Sequence, residues 1–357
     1  MAQQKKKKKK KMPKALRVCL IMLAVLAVLM AITVVLAMTG VIPANTVEDF
    51  LDGFIGEGVE KALDKIFPNK LVDEVFIDKY GDFVDWVMDL LPKPERIALD
   101  GEIMVYFFDV GQSDSILIMA PEGNVLIDAG DNDCEEDLEG YLDDLGVTTL
   151  HCVIATHPHE DHIGSMDMIF EEFTVNNLIM PNAEVDTDTF TATGDYTRMM
   201  DGAQKQGTAV TYAKGGDTFS FGELKFAFLG PNATDYNDLN DWSLVTKVTY
   251  GSTSMILTGD AESISEKEIV ARYASSQLDC DILKSGHHGS SSSSCDEFLD
   301  AIDAEIAVIS CGTGNKYGHP NQPVLDRYEE RGMTVHRTDL EGTIVYSSNG
   351  AEFTRVP

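Results

Sequence analysis

The sequence predicts a mixed α/β sandwich with its helices outside, carried behind a membrane anchor and a short helical stalk. Three observations lead there: an uncharged run near the N-terminus, a change of hydrophobic period after Pro94, and consecutive short strands that precede strand–helix units. The chain of 357 residues is 44% hydrophobic and 24% charged, an ordinary globular composition. Disordered and collagenous classes are therefore excluded, and a chain of this length needs neither metal nor disulfide to hold its core.

Residues 1–17 form a basic tail with nine Lys and Arg side chains and no acid. Val18 to Met38 then runs for 21 residues without a charge. At ~1.5 Å per residue it spans about 30 Å, the thickness of a bilayer's hydrocarbon core. The apolar part of a cleavable signal is shorter, about 7 to 15 residues, and no small-x-small cleavage site follows here. Residues 18–38 thus read as an uncleaved single-pass anchor. The retained lysines place the N-terminus in the cytoplasm and everything after Gly40 outside the cell.

Segment 41–95 carries two amphipathic helical patterns. Phe50, Leu51, Phe54, Val59, Leu63 and Phe67 form the first, and Val72, Phe76, Phe83, Val84, Val87 and Leu91 the second. Pro68 separates them, and Pro92 and Pro94 close the stalk.

From residue 100 to 357 short strands alternate with helices. Ile103 to Phe108, Ser115 to Met119 and Asn124 to Ile127 read as consecutive strands, followed by a helix over Leu138 to Leu145. A strand from Cys152 to Thr156 precedes a helix beginning near Ile163, and later strands fall at 178–180, 209–212, 224–229, 243–250, 254–257, 282–283 and 306–309. The cysteines show no repeated spacing, so neither a disulfide framework nor a Cys-based zinc site is expected. No GxGxxG or GxxxxGK[ST] motif supports a nucleotide cradle.

The chemistry concentrates where strands end. Thr156-His-Pro-His-Glu-Asp-His-Ile-Gly164 puts three imidazoles and the Asp161 carboxylate within six positions of one loop. Such groups suit Zn²⁺, Mn²⁺ or Fe. Leu257-Thr-Gly-Asp260 ends another strand in a carboxylate, and Leu283-Lys-Ser-Gly-His287-His288 ends a third in paired histidines. One carboxylate between two cations about 3.5 to 4 Å apart is the usual bridge of two-metal hydrolytic sites. The isolated His151 and His336 read as ordinary packing or surface residues.

These residues resemble the metallo-β-lactamase fold superfamily, whose HxHxDH signature is His157, His159, Asp161 and His162. More narrowly, FFDVGQSDSILI, VLIDAG, THPHEDHIG, NDWSLVTKVTYG, LTGDAE, LKSGHHGSSSSS, YGHP and TDLEGTIVYSSNG resemble, in that order, the extracellular hydrolase domain of ComEC-type competence proteins and their stand-alone relatives. The likeness covers about residues 102 to 355 and implies an αββα sandwich with two divalent metal ions, Zn or Mn. It implies that His157 and His159 hold the first metal, that Asp161 and His162 hold the second with one of His287 or His288, and that Asp260 bridges.

The superfamily places a further histidine on the first metal, yet no histidine occurs from residue 163 to 286. That position falls to water, to Asn240 or Asp241, or to nothing. The catalytic set so implied is Asp161, His288, Lys284 and His319, with Lys284 and His319 offered for holding a substrate anion or protonating a leaving group. Asp128 is expected to brace the HxHxDH loop. Asp109, Gln112 and Asp114 either flank the pocket or serve only the hairpin turn.

The resemblance implies an outward-facing hydrolase of phosphodiesters, either DNA or a cell-surface phosphodiester, in which a water of lowered pKa attacks. Non-phosphate esters or amides are the alternative substrates. A scaffold that kept the fold and lost its first metal is the alternative class. Beyond residue 17 the chain carries 19 basic and 59 acidic side chains. That acidity excludes a purely electrostatic clamp on long DNA. Oligomeric state is not written in these features.

Overall fold

In the computed structural model the described residues are 101–181 and 194–357. The predicted tail, anchor and stalk lie outside them. Among the described residues no helix is long and apolar enough to cross a membrane.

The chain opens with β1 (Ile103–Phe107), β2 (Ile116–Ala120) and β3 (Gly123–Ile127), then α1 (Glu135–Asp144), β4 (Thr149–Leu150), β5 (Cys152–Ile154), α2 (Glu160–Ile163) and α3 (Met166–Glu172). Next come β6 (Thr174–Val175), β7 (Asn177–Pro181), α4 (Gly194–Gln206), β8 (Ala209–Ala213), β9 (Thr218–Phe221), β10 (Leu224–Phe228), β11 (Thr246–Tyr250) and β12 (Thr253–Leu257). After them follow α5 (Ser263–Arg272), α6 (Ser275–Leu278), β13 (Ile282–Lys284), α7 (Asp296–Ile302), β14 (Ile306–Ile309), α8 (Gln322–Glu330), β15 (Thr334–Arg337), α9 (Thr338–Glu341), β16 (Ile344–Ser348) and β17 (Phe353–Val356).

Two large sheets result. The first has the order β17-β16-β1-β2-β3-β5-β7-β8, the second β15-β14-β13-β12-β11-β10-β9, and β4 pairs with β6 apart from both. Each large sheet joins an antiparallel part to a parallel part: β3, β5, β7 and β8 run parallel in the first, and β12 to β15 in the second.

Side-chain alternation explains the layering, because successive residues of a strand face opposite sides. In β2, Ile116 and Ile118 enter the core between the sheets, while Leu117 and Met119 face α1, α3 and α4 with Leu138, Ile169 and Met199. In β12, Met255 and Leu257 face the intersheet core, and Ile256 packs with Ile269, Phe298 and Tyr328 of the outer helices. Both faces of these strands are buried, so their sequences read as continuous apolar runs. Each fully buried large side chain contributes about 1.5–3 kcal/mol. The predicted α/β sandwich is therefore present as four layers, αββα.

The predicted strands appear with small shifts. The one placed at 243–250 begins only at Thr246, because Asn240–Trp242 forms a 3₁₀ turn. The strand placed at 152–156 ends at Ile154, leaving Ala155 and Thr156 to lead into the HxHxDH loop.

Candidate metal centre

Asp128 follows β3 with a left-handed backbone (φ 57°), a conformation that Asp tolerates better than most residues. This turns its carboxylate across to the loop after β5. Oδ1 accepts from the Thr156 amide at 2.8 Å, and Oδ2 accepts from the Thr156 hydroxyl at 2.7 Å and faces His162 Nδ1 at 2.7 Å. Asp128 is thus the expected brace.

Backbone bonds complete the attachment: Asp114 N donates to Asp161 O, Ala129 N to His162 O and Gly164 N to Gly130 O, at 3.0, 2.8 and 2.9 Å. Gly164 has to be glycine, since a Cβ there would lie 2.6 Å from the Asn132 amide nitrogen.

Asp161, His162, Asp260 and His288 each offer one ligand atom within 4.8 Å of the others. His162 Nε2 lies 3.1 Å from Asp260 Oδ1, and His288 Nε2 lies 3.3 Å from Asp161 Oδ2 and 3.6 Å from Asp260 Oδ1. His288 Nδ1 faces the Ser310 carbonyl at 3.0 Å. Beside this group, His157 Nε2 is 3.0 Å from His159 Nδ1. His157 is buried and His159 is partly exposed on the wall of a cleft of about 650 Å³ that also reaches Asp161, Asp260 and His287.

Burial opposes charge throughout this cluster. For His162 the carboxylates of Asp260 and Asp128 outweigh that penalty and hold the imidazole well above its ordinary range. His288 is likewise pushed up to about 10, burial being overcome by Asp260 and Asp114. Asp260 is held well below the carboxylate range against burial, by His288 and His162. His157 moves the other way, because burial and the nearby His162 both disfavour its cation.

The donor set fits divalent cations. His162 Nε2, His288 Nε2 and Asp260 Oδ1 are buried and make no hydrogen bond, although His162 Nε2 and Asp260 Oδ1 are only 3.1 Å apart. Proximity without hydrogen-bond direction, among atoms that cost about 1–3 kcal/mol each when left unpaired, is what the donor atoms of a coordination site should show. Two imidazoles and two carboxylates suit Zn²⁺ or Mn²⁺.

Of the histidine pair, it is His288 whose ring comes together with Asp161, His162 and Asp260. Lys284 requires a correction: it is fully buried and its Nζ pairs with Asp114 Oδ2 at 2.7 Å, so it cannot reach a substrate anion. It instead fixes Asp114, which is held down to about 2 against burial, chiefly by Lys284, and whose Oδ1 lies 3.4 Å from His288 Nδ1. His319 does line the cleft, but burial and the neighbouring His287 and His288 push it down to about 4. Those causes favour a neutral ring there, which can donate a hydrogen bond.

Asp241 leaves the metal question, because its Oδ1 accepts from the amides of Glu262 and Ser265 at the start of α5. Asn240 does line the cleft. Gln112 also lines it, with Nε2 3.4 Å from His319 Nδ1 and Oε1 accepting from Gly312 N; Asp109 bonds within its own turn, to Thr343 and to the Tyr141 hydroxyl. His151 packs on Phe221 and His336 pairs with Glu341.

Two contributors were not foreseen from sequence. Glu262 Oε1 lies 3.0 Å from His287 Nδ1, and the exposed Tyr317 stacks on His319 at the rim of the cleft. Position gives Glu262 away only in part, since an acid before a helix reads as a helix-end charge.

The sequence profile of the Metallo-beta-lactamase superfamily matches residues 108–313. ComE operon protein 3 of Bacillus subtilis (strain 168) is 33% identical over 267 residues, covering 70% of this chain and 33% of its own length. Competence protein ComA of Neisseria gonorrhoeae is 28% identical over 255 residues, covering 71% and 33%. The chain therefore spans about a third of the length of these relatives. Among solved structures, the metallo-beta-lactamase fold protein YhfI from Bacillus subtilis aligns over 69% of this chain and 100% of that one, with a TM-score of 0.46 and 14% identity.

Proposed function

Because this chain belongs to the metallo-beta-lactamase superfamily, we propose that it is a membrane-anchored, extracytoplasmic phosphodiester hydrolase of the ComEC type, dependent on divalent metal. Residues 18–38 would hold it in the membrane, with the tail 1–17 in the cytoplasm and the stalk 41–95 carrying the hydrolase domain. The observation that supports the reading best is the convergence of His162 Nε2, His288 Nε2 and Asp260 Oδ1, buried and without hydrogen-bond partners. Similarity to competence proteins favours a phosphodiester over other esters.

When bound, two divalent cations would lower the pKa of a water and offset the negative charge that develops on the phosphoryl oxygens. His157 and His159 would hold one, and Asp161, His162 and His288 the other, with Asp260 between them. The chain's own groups supply the rest. Asp161 keeps 34% of its side chain exposed to the cleft, and against burial the neighbouring His288 and His162 imidazoles hold it well below the carboxylate range. It is thereby held as the anion, fit to orient the attacking water.

Neutral His319, its Nδ1 accepting from Gln112, presents Nε2–H to a leaving-group oxygen. Lys316 is the one Lys or Arg among the described residues lining the cleft. It reaches a non-bridging phosphate oxygen as a point charge.

The test is turnover by the full-length protein in detergent, loaded with Zn²⁺ or Mn²⁺, of single-stranded DNA, bis-nitrophenyl phosphate, a phosphocholine ester and a β-lactam. Hydrolysis of diesters alone supports the proposal; no turnover, or turnover of the β-lactam alone, refutes it. Protease added to intact cells should digest the hydrolase domain, and its protection until lysis would overturn the topology.

A further inference from the structure

No histidine occurs from residue 163 to 286, where the superfamily places a further ligand of the first metal, and the next two histidines in the chain are the adjacent His287 and His288. His287 and His288 are consecutive residues that both adopt left-handed backbone (φ 48° and 53°). Side chains other than glycine avoid this region at a cost of about 1–2 kcal/mol per residue, and such strain collects at functional sites. Here it sets the two rings 6.2 Å apart at 69°, on different oxygens of one carboxylate. His288 Nε2 approaches Asp260 Oδ1 at 3.6 Å, and His287 Nε2 approaches Asp260 Oδ2 at 3.7 Å.

Three imidazoles around Asp260 share one arrangement. His162 turns Nδ1 to Asp128, His288 turns Nδ1 to the Ser310 carbonyl and His287 turns Nδ1 to Glu262 Oε1, and each points Nε2 at Asp260. An oxygen acceptor on Nδ1 keeps the remaining proton there once Nε2 gives up its own, leaving the Nε2 lone pair for a metal, as metal-ligating histidines require. Two of these Nε2 atoms face Oδ1 and the third faces Oδ2.

We propose that His287 is a ligand of the first metal, with His157, His159 and Asp260 Oδ2, and that Glu262 is the positioning residue that sets its tautomer. The chain thereby meets the missing ligand from the loop after β13, and adjacent residues serve different ions. This rests on the two-metal reading above, and the following experiment separates the two.

Metal-free full-length protein is titrated with Co²⁺. Wild type should take two equivalents, and His287→Gln should keep one at wild-type affinity while the other weakens by about 10²-fold or more, beyond the loss typical of a supporting residue. His287→Cys puts a soft thiolate at the same position. Loaded with Co²⁺ it should show a near-ultraviolet thiolate-to-cobalt charge-transfer band absent from wild type, whose own cysteines serve as the blank. Two equivalents at wild-type affinity in His287→Gln, or a cobalt-loaded His287→Cys without the band, overturns the ligand assignment and leaves the two-metal reading standing. Fewer than two equivalents in wild type overturns both.

Discussion

Replacing Asp128 by Asn changes one atom of the carboxylate that fixes His162. The amide oxygen can still accept from Thr156 N, now 2.8 Å from Oδ1, and the Thr156 hydroxyl can reverse to face an N–H. His162 has no such freedom. Its Nδ1, now 2.7 Å from Oδ2, would face an amide donor. Either the ring moves its proton to Nε2 and can no longer ligate, or it keeps the proton on Nδ1 and buries two opposed donors at about 1–3 kcal/mol.

That cost corresponds to a loss in metal affinity on the order of 10- to 100-fold, the range found when supporting partners of metal ligands are removed. Burial pushes the Asp128 carboxyl up despite His162, but the same carboxylate helps to keep His162 protonated, so the metal-free fold should lose no more than that opposed pair of donors costs, about 1–3 kcal/mol. The assay is competition with a chromophoric chelator at neutral pH, beside a melting curve of the metal-free protein. Unchanged affinity would refute the tautomer argument, and a large drop in metal-free melting would show that the loss is one of fold.

Asp260→Ala removes the carboxylate expected between the two ions, so metal content and diester turnover should fall together; two bound equivalents with normal turnover would reassign that loop. Metal binding should release protons, because the carboxylates around His162 and His288 keep both imidazoles protonated at neutral pH, His288 up to about 10. Apparent affinity should therefore rise with pH through the neutral range, and binding heats identical in buffers of different ionisation enthalpy would refute this. Glu266, buried and accepting from Ser294 N and Cys295 N, is pushed by burial from 4.5 to about 7. A raised folded-state value adds stability that is complete below 4.5 and disappears as pH rises through about 7. Glu266→Gln should flatten the melting temperature across that interval, and an unaltered wild-type slope would sink the assignment.

Sequence makes the strand ends that carry the site legible because their ligands are short-range patterns: four groups of one loop, a Gly-Asp turn, a histidine pair. It also reveals the layers wherever both faces of a strand are buried, as in β2 and β12. Edge strands are harder. β9 and β15 are largely exposed or half-buried, so no apolar run marks them, although Asn349-Gly350 between β16 and β17 is a hairpin signal. Lys284 shows the deeper difficulty. Its position in the chain suits a surface charge, and only pairing across the fold with Asp114, 170 positions earlier, explains a buried ammonium. Likewise, which histidine of the pair meets Asp161 depends on two backbone torsions that residue identity does not disclose.

The backbone bonds that strap the 114, 129 and 164 loops together have a consequence for metal supply. In small zinc domains the ion organises its own ligands, and the apo chain unfolds. Here strand ends and neighbouring amides hold the loops, with Asp128, Glu262 and the Ser310 carbonyl each aiming a ring. The ions would then be guests in a finished structure, exchangeable while it stays folded. Irving–Williams preferences would act on a rigid cage, so the ions available around the folded protein, more than the act of folding, would determine which one it carries.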